Sequence, residues 1–217
     1  MSDVELARIR GGRLQMQTPR TRRRRTIEVD DFELGVYPVT EEQLAEVLGI
    51  TADHPRRPAA RVSWLRAVRF ANALSEWEGL ERAYRVDGDE ITWDRTSEGY
   101  RLPTDAEWEY ACRAGSVTPQ YGPLADIAWT ALDGVRTPQD VGARLPNLNG
   151  LFDMLGNVWE WCWDLLDPAG DPRGHRVVRG GGYADDAYSV RADVRRGGAP
   201  RLEQGDVGFR IARGALE

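Results

Sequence analysis

The chain has 217 residues, 41% of them hydrophobic, and a formal net charge of −6. That suffices for one domain with a substantial core, and the acidic balance argues against a general nucleic-acid binder. Two Cys exclude a disulfide framework and a complete zinc site, and without a long apolar run neither a secretion signal nor a membrane span is expected, which leaves a cytoplasmic protein as the expectation. Every basic residue is Arg, which points to a GC-rich bacterial genome and makes any basic patch one of planar forks suited to carboxylate or phosphate.

Residues 9–16 read as an opening strand interrupted at Gly11-Gly12. The basic run 20–25 reads as a solvated loop, with phosphate or nucleic-acid contact as the alternative, ahead of strands at 26–29 and 32–34. Thr40 and Gln43 form a capping box, Leu44, Val47 and Leu48 an apolar stripe, and Gly49 a stop. Ser63 caps a second helix carrying Trp64, Ala67, Val68, Ala71 and Leu74, with Gly79 past its end. Residues 84–93 read as a hairpin turning at Asp87-Gly88. Thr104 and Glu107 repeat the capping box on a third helix, ended by Gly115, with Trp108, Ala111 and Cys112 on one face. Cys112 therefore reads as a small buried hydrophobe and not a nucleophile. Residues 114–149 show little periodicity, a pattern of functional or ligand-held chain.

The most informative stretch is 150–164, GLFDMLGNVWEWCWD. Trp159, Trp161 and Trp163 alternate with Glu160, Cys162 and Asp164, so a strand would send the indoles to one face. Leu155-Gly156-Asn157 reads as a tight turn before it. Two readings stand: an aromatic core strand after a metal-free turn, or a turn whose carbonyls, with Asp153 and Glu160, hold a hard cation. A polar loop at 167–175 leads to a strand at 176–179, the glycines 180–182, a polar segment and a last strand at 207–212. His54 and His175 read as solvated loop side chains. With no repeat and no linker, residues 1–217 form one domain, with 1–8 and 214–217 as candidate disordered ends.

These pieces, in this order, resemble the formylglycine-generating enzyme, or sulfatase-modifying factor, family. The matching pieces are Gly11-Gly12 with Met16, Tyr37-Pro38-Val39-Thr40, Val62-Ser63-Trp64, 101–111, 150–164, Arg179-Gly180-Gly181 and Gly208-Phe209-Arg210. The resemblance implies an α+β, C-type-lectin-like fold with short twisted antiparallel sheets, few helices and much irregular chain. The family's oxidising members hold copper with two Cys after Arg-Gly-Gly. In that register this chain has Asp185 and Val190, which cannot form a dithiolate site, so formylglycine generation, copper and haem are not expected. The iron-dependent sulfoxide synthases need His ligands supplied largely by a separate helical domain, which is not expected here, where His54 and His175 are the two histidines. A branch like the pyoverdine-maturation oxidase lacks the Cys pair, and keeps an oxidase or maturase acting without it as the alternative, with Asp185, Arg191 and Asp193 lining its pocket.

The resemblance also extends to variable proteins of diversity-generating retroelements, which display interchangeable side chains between an Arg-Gly-Gly and a Gly-Phe-Arg stretch, here 182–207. It implies a non-catalytic recognition module for a protein or peptide, binding through Tyr183, Asp185, Asp186, Tyr188, Ser189, Arg191, Asp193 and Arg195 with help from Trp163. A solvated loop is the plain alternative for this segment, and a structural subunit of a larger complex a third role for the chain. Nucleic-acid and membrane partners are not expected. For a structural Ca²⁺, the resemblance implies side-chain ligands Asp153 and Glu160 and carbonyls of Gly156 and Val158.

Overall fold

A computed structural model describes residues 4–17, 24–88, 90–171 and 173–214. The opening strand is two: β1 (Leu6–Ile9) and β2 (Gly12–Gln17) belong to different sheets. β1 already begins inside the expected disordered end, held by pairing with β4. β2 forms a ribbon with β3 (Arg24–Val29), so Arg24 and Arg25 are strand residues while 20–23 of the basic run lie outside the described residues. β4 (Phe32–Gly35) is the middle strand of a three-stranded sheet, between β1 and β11 (Ala212–Arg213).

The helices start where the capping chemistry places them. α1 (Glu41–Leu48) has the complete Thr40–Gln43 box and ends at Gly49 in left-handed backbone. α2 (Trp64–Trp77) starts at Ser63, whose Oγ accepts from Arg66 N. β5 (Tyr84–Asp87) and β6 (Glu90–Trp93) form the expected hairpin. α3 (Asp105–Arg113) has the complete Thr104–Glu107 box but stops one residue early, because Ala114 itself takes the left-handed conformation at φ 45°. A single turn, α4 (Leu124–Ile127), and a 3₁₀ turn at Ala131–Asp133 punctuate the irregular stretch.

β7 (Trp159–Leu165) lies between β10 (Val207–Phe209) and β8 (Arg176–Arg179), with β9 (Arg195–Gly198) outermost. The β7–β10 pair is parallel, and the other paired strands are antiparallel, in keeping with the expected short antiparallel sheets. β7 also separates two cores. Trp159 and Trp161 pack with Trp64, Phe70, Tyr84 and Phe209, while Cys162 packs with Trp108, Cys112 and Val177 on the other side. Alternation therefore holds, but both faces are buried, as in a strand covered on two sides.

Candidate recognition site

The turn ahead of β7 has three residues with positive φ, Asp153 (54°), Gly156 (74°) and Asn157 (58°). Position 156 needs glycine twice over, since a Cβ there would also lie 2.3 Å from the Trp129 carbonyl oxygen. Asn157 ties the turn to the irregular stretch: its Oδ1 accepts from Gln139 N at 2.9 Å and its Nδ2 donates to the Gln139 carbonyl at 3.0 Å.

Asp153 and Glu160 differ sharply. Glu160 is fully buried, and Arg210 grips it through Nε (2.9 Å) and Nη2 (2.8 Å) while Trp108 Nε1 donates at 2.7 Å. Arg210 also donates to the carbonyls of Gly35 and Phe152, so one guanidinium joins three segments. The charge of Glu160 is thus already balanced. Asp153 accepts, among the described residues, from Gly142 N at 2.8 Å and Asn157 Nδ2 at 3.3 Å, and burial pushes its carboxyl up to about 6. Among the described residues no group of three His, Cys, Asp or Glu could hold a metal. Asp153 is thus a buried carboxylate that no Arg contacts among the described residues. Of the two expected side-chain ligands, Asp153 is the one with unbalanced charge.

Arg179, at the end of β8, builds the floor of the polar segment. It is completely buried, with Nε 2.6 Å from Asp105 Oδ1 and Nη2 2.6 Å from Glu109 Oε2. Burial pushes its pKa down, but the two carboxylates more than offset this and the net shift is upward. Its Nη1 donates to the carbonyls of Ala192 (2.7 Å) and Val194 (3.0 Å), fixing the backbone of the segment. Gly180 follows at φ 96°, where a Cβ would sit 2.9 Å from the Met154 carbonyl. Further anchors run from Tyr183 N to the Asn157 carbonyl, Ala131 N to the Asp185 carbonyl and Ala192 N to the Pro119 carbonyl.

On this floor the expected binding residues divide. Asp185 Oδ2 accepts from Trp159 Nε1 (2.7 Å) and Gly182 N (2.8 Å), so it closes the loop from inside. Arg195 is almost buried against Asp105 at 2.7 Å, and Trp163 lies along β7 among Trp64, Tyr84 and Trp93, away from the loop. All three are half-buried and engaged with partners inside the fold. Asp186 and Tyr188 are exposed, with Tyr188 at 76%, and Tyr183, Ser189, Arg191 and Asp193 are half-buried. Arg191 and Asp193 pair at 2.7 Å, and the guanidinium lies 5.4 Å from the centre of the Tyr188 ring. Leu132, 84% exposed, stands beside this surface because Ala131 is bonded to Asp185. Nothing in its irregular stretch marked it in advance.

The positions expected for copper-binding thiols are filled by the bonded Asp185 and by Val190, which is fully buried. The two cysteines, Cys112 and Cys162, are free and buried, and burial raises both thiol pKa values. No described helix is long and apolar enough to cross a membrane.

The family model described as the Sulfatase-modifying factor enzyme 1-like domain matches residues 2–215. The chain is 30% identical to the "Chaperone protein LppX" of Paenibacillus barcinonensis, over 87% of this chain and 82% of that protein. It is 28% identical to the "Inactive C-alpha-formylglycine-generating enzyme 2" of Bos taurus, over 98% and 89% of the two chains. The solved structure of Treponema denticola variable protein 1 superposes with a TM-score of 0.87 at 27% identity, covering 96% of this chain and 94% of the other. With a family match over nearly its whole length and the same fold, the chain belongs to the formylglycine-generating-enzyme-like, sulfatase-modifying factor family.

Proposed function

We propose that this protein is a non-catalytic recognition module, working in the cytoplasm, that binds a protein or peptide partner through the exposed part of residues 183–193. The observation that carries this reading is the occupation of the two thiol positions by Asp185, committed to Trp159 and Gly182, and by the buried Val190. A backbone pinned by Arg179, Asn157 and Pro119 presents Asp186, Tyr188 and the Arg191–Asp193 pair with little ordering cost on binding. A relative whose name marks it inactive, and the likeness to a variable protein, support the same reading. A structural Ca²⁺ beside Asp153, with carbonyls of the turn, belongs to this proposal as a stiffener of the loop beneath the surface.

The test has two arms. Supplied with copper and a cysteine-containing peptide, the protein is expected to form no aldehyde detectable by hydrazide capture. In cell extract it is expected to retain a defined stoichiometric protein that Tyr188→Ala with Asp186→Arg no longer retains. Aldehyde formation, or stoichiometric copper or iron in the purified protein, would overturn the reading in favour of an oxidase.

A further inference from the structure

The surface around the start of α2 is charged in the wrong sense for the helix. Arg66 and Arg69 lie in its first two turns, no acid stands in its first turn, and its C-terminal end carries Glu76 and the cap Glu78. A helix macrodipole favours the opposite arrangement, so these charges work against local stability. Neither Arg66 nor Arg69 forms an ion pair among the described residues. Charges kept at a local cost, with no internal partner, are candidates for an external one.

The surroundings give that partner a chemistry. Two adjoining clefts share Leu65 and Arg201. Arg66, Arg69, Arg173, Arg176, Arg201 and Glu203 are their charged lining residues; Arg173 pairs with Asp171 at 3.5 Å and Arg176 and Arg201 have interactions of their own, which leaves Arg66 and Arg69 as the pair without one among the described residues. On a chain of net charge −6, Arg66 and Arg69 on the first two turns of one helix make a local basic face. The larger cleft, about 470 Å³, has Leu48 and Ile50 along its wall, and Ile50 is exposed. The smaller, about 180 Å³, is walled by Trp64, Leu65 and Pro200. Clefts for drug-sized molecules run to ~300–1,000 Å³, so this notch suits a single side chain. Its wall is preset: Arg176 lies 4.0 Å over the Trp64 ring and donates to the Trp163 carbonyl at 2.7 Å, and Leu65 N donates to the Pro200 carbonyl.

We infer that this face binds an acidic peptide segment of a partner protein, its carboxylates on Arg66 and Arg69 and one apolar side chain in the notch beside Trp64. Planar guanidinium forks suit carboxylates, and residues three apart on a helix stand side by side, so Arg66 and Arg69 address neighbouring acids of an extended peptide. A long polyanion fits less well, because the rest of the chain is acidic and would repel it. The face does not include Asp186 or Tyr188 and its test does not depend on them.

The experiment is fluorescence anisotropy with a short fluorescein-labelled peptide of Glu and Asp around one Phe, compared with its Gln/Asn analogue. The acidic peptide is expected to bind in a salt-sensitive way, and Arg66→Glu with Arg69→Glu to weaken it by about tenfold or more. Tyr188→Ala is expected to bind it unchanged. The charge reversal suits the helix dipole, so the double variant is expected to melt no lower than the parent, which separates lost binding from lost folding. Equal binding of the Gln/Asn peptide, unchanged binding by the double variant, or loss in Tyr188→Ala would overturn the inference. So would preferred binding of single-stranded DNA or of phosphatidylserine vesicles in competition.

Discussion

α2 and α3 both open on a capping hydroxyl, and they use charge in opposite ways. α3 has Asp105 and Glu107 in its first turn and Arg113 in its last, in agreement with the dipole. Its acids also serve the interior: Glu107 meets Arg101 through two bonds of 2.7 and 2.8 Å, and Asp105 and Glu109, one turn apart, receive Arg179. α2 places Arg66 and Arg69 against its dipole, outside any ion pair among the described residues. Where local charge and helix agree, the residues hold the frame together. Where they disagree, the residues face outward with their valence unspent.

The comparison breaks most visibly at Arg179. Arg179→Met leaves Asp105 and Glu109 buried opposite an apolar chain, and chemical denaturation should show a loss of about 3–5 kcal/mol. Arg66→Met, made for contrast, should leave the denaturation midpoint almost unmoved.

The next effect is at Asp153, whose folded pKa of about 6 exceeds the unfolded value of 3.8. Between those values the folded state binds the proton more tightly, so stability falls as pH rises through the window. The shift corresponds to about 3 kcal/mol at most. In calcium-free buffer, the melting temperature should therefore rise as pH is lowered from 7.5 towards 5, with Asp164, also pushed by burial to about 6, adding to the trend. Calcium should raise the melting temperature more at pH 7.5 than at pH 5, because it competes with that proton, and Asp153→Ala should abolish the calcium effect. An equal calcium response at both pH values would remove the cation from this turn.

Caps give a smaller contrast. Thr104→Ala should cost about 1 kcal/mol, since it removes an acceptor shared within a complete box. Ser63→Ala should cost less, because its bond to Arg66 N is long at 3.3 Å and has no reciprocal partner. Smallest of all, Arg191→Ala should change stability by about 0–1 kcal/mol, as expected of a half-exposed pair, while weakening partner binding.

Much of the frame was legible because it is local. Both capping boxes, the alternation of Trp159, Trp161 and Cys162, and the strained turn at Gly156-Asn157 follow from spacing over a few residues. The buried arginines were not, because their partners are distant: Arg179 meets Asp105 across 74 positions and Arg210 meets Glu160 across 50. A hint existed in Asp105 and Glu109, two acids on one helical turn beside the buried Trp108, which require a cation between them. The surface segment misled in the other direction. Polar composition treats Asp185, Asp186 and Arg195 alike, yet the fold gives half-buried Asp185 and Arg195 partners in Trp159 and Asp105 and leaves Asp186 exposed.

The last strands carry a consequence for how the protein is made. β10 completes the sheet through β7, β11 completes the one through β4, and Arg210 between them is the counter-charge of Glu160. Neither sheet can close before residues 207–213 have left the ribosome, so until then the nascent chain carries two open strand edges and an unneutralised internal acid. A stop codon placed just before Val207 should accordingly yield a chaperone-bound or degraded product, because it removes β10, β11 and Arg210 together.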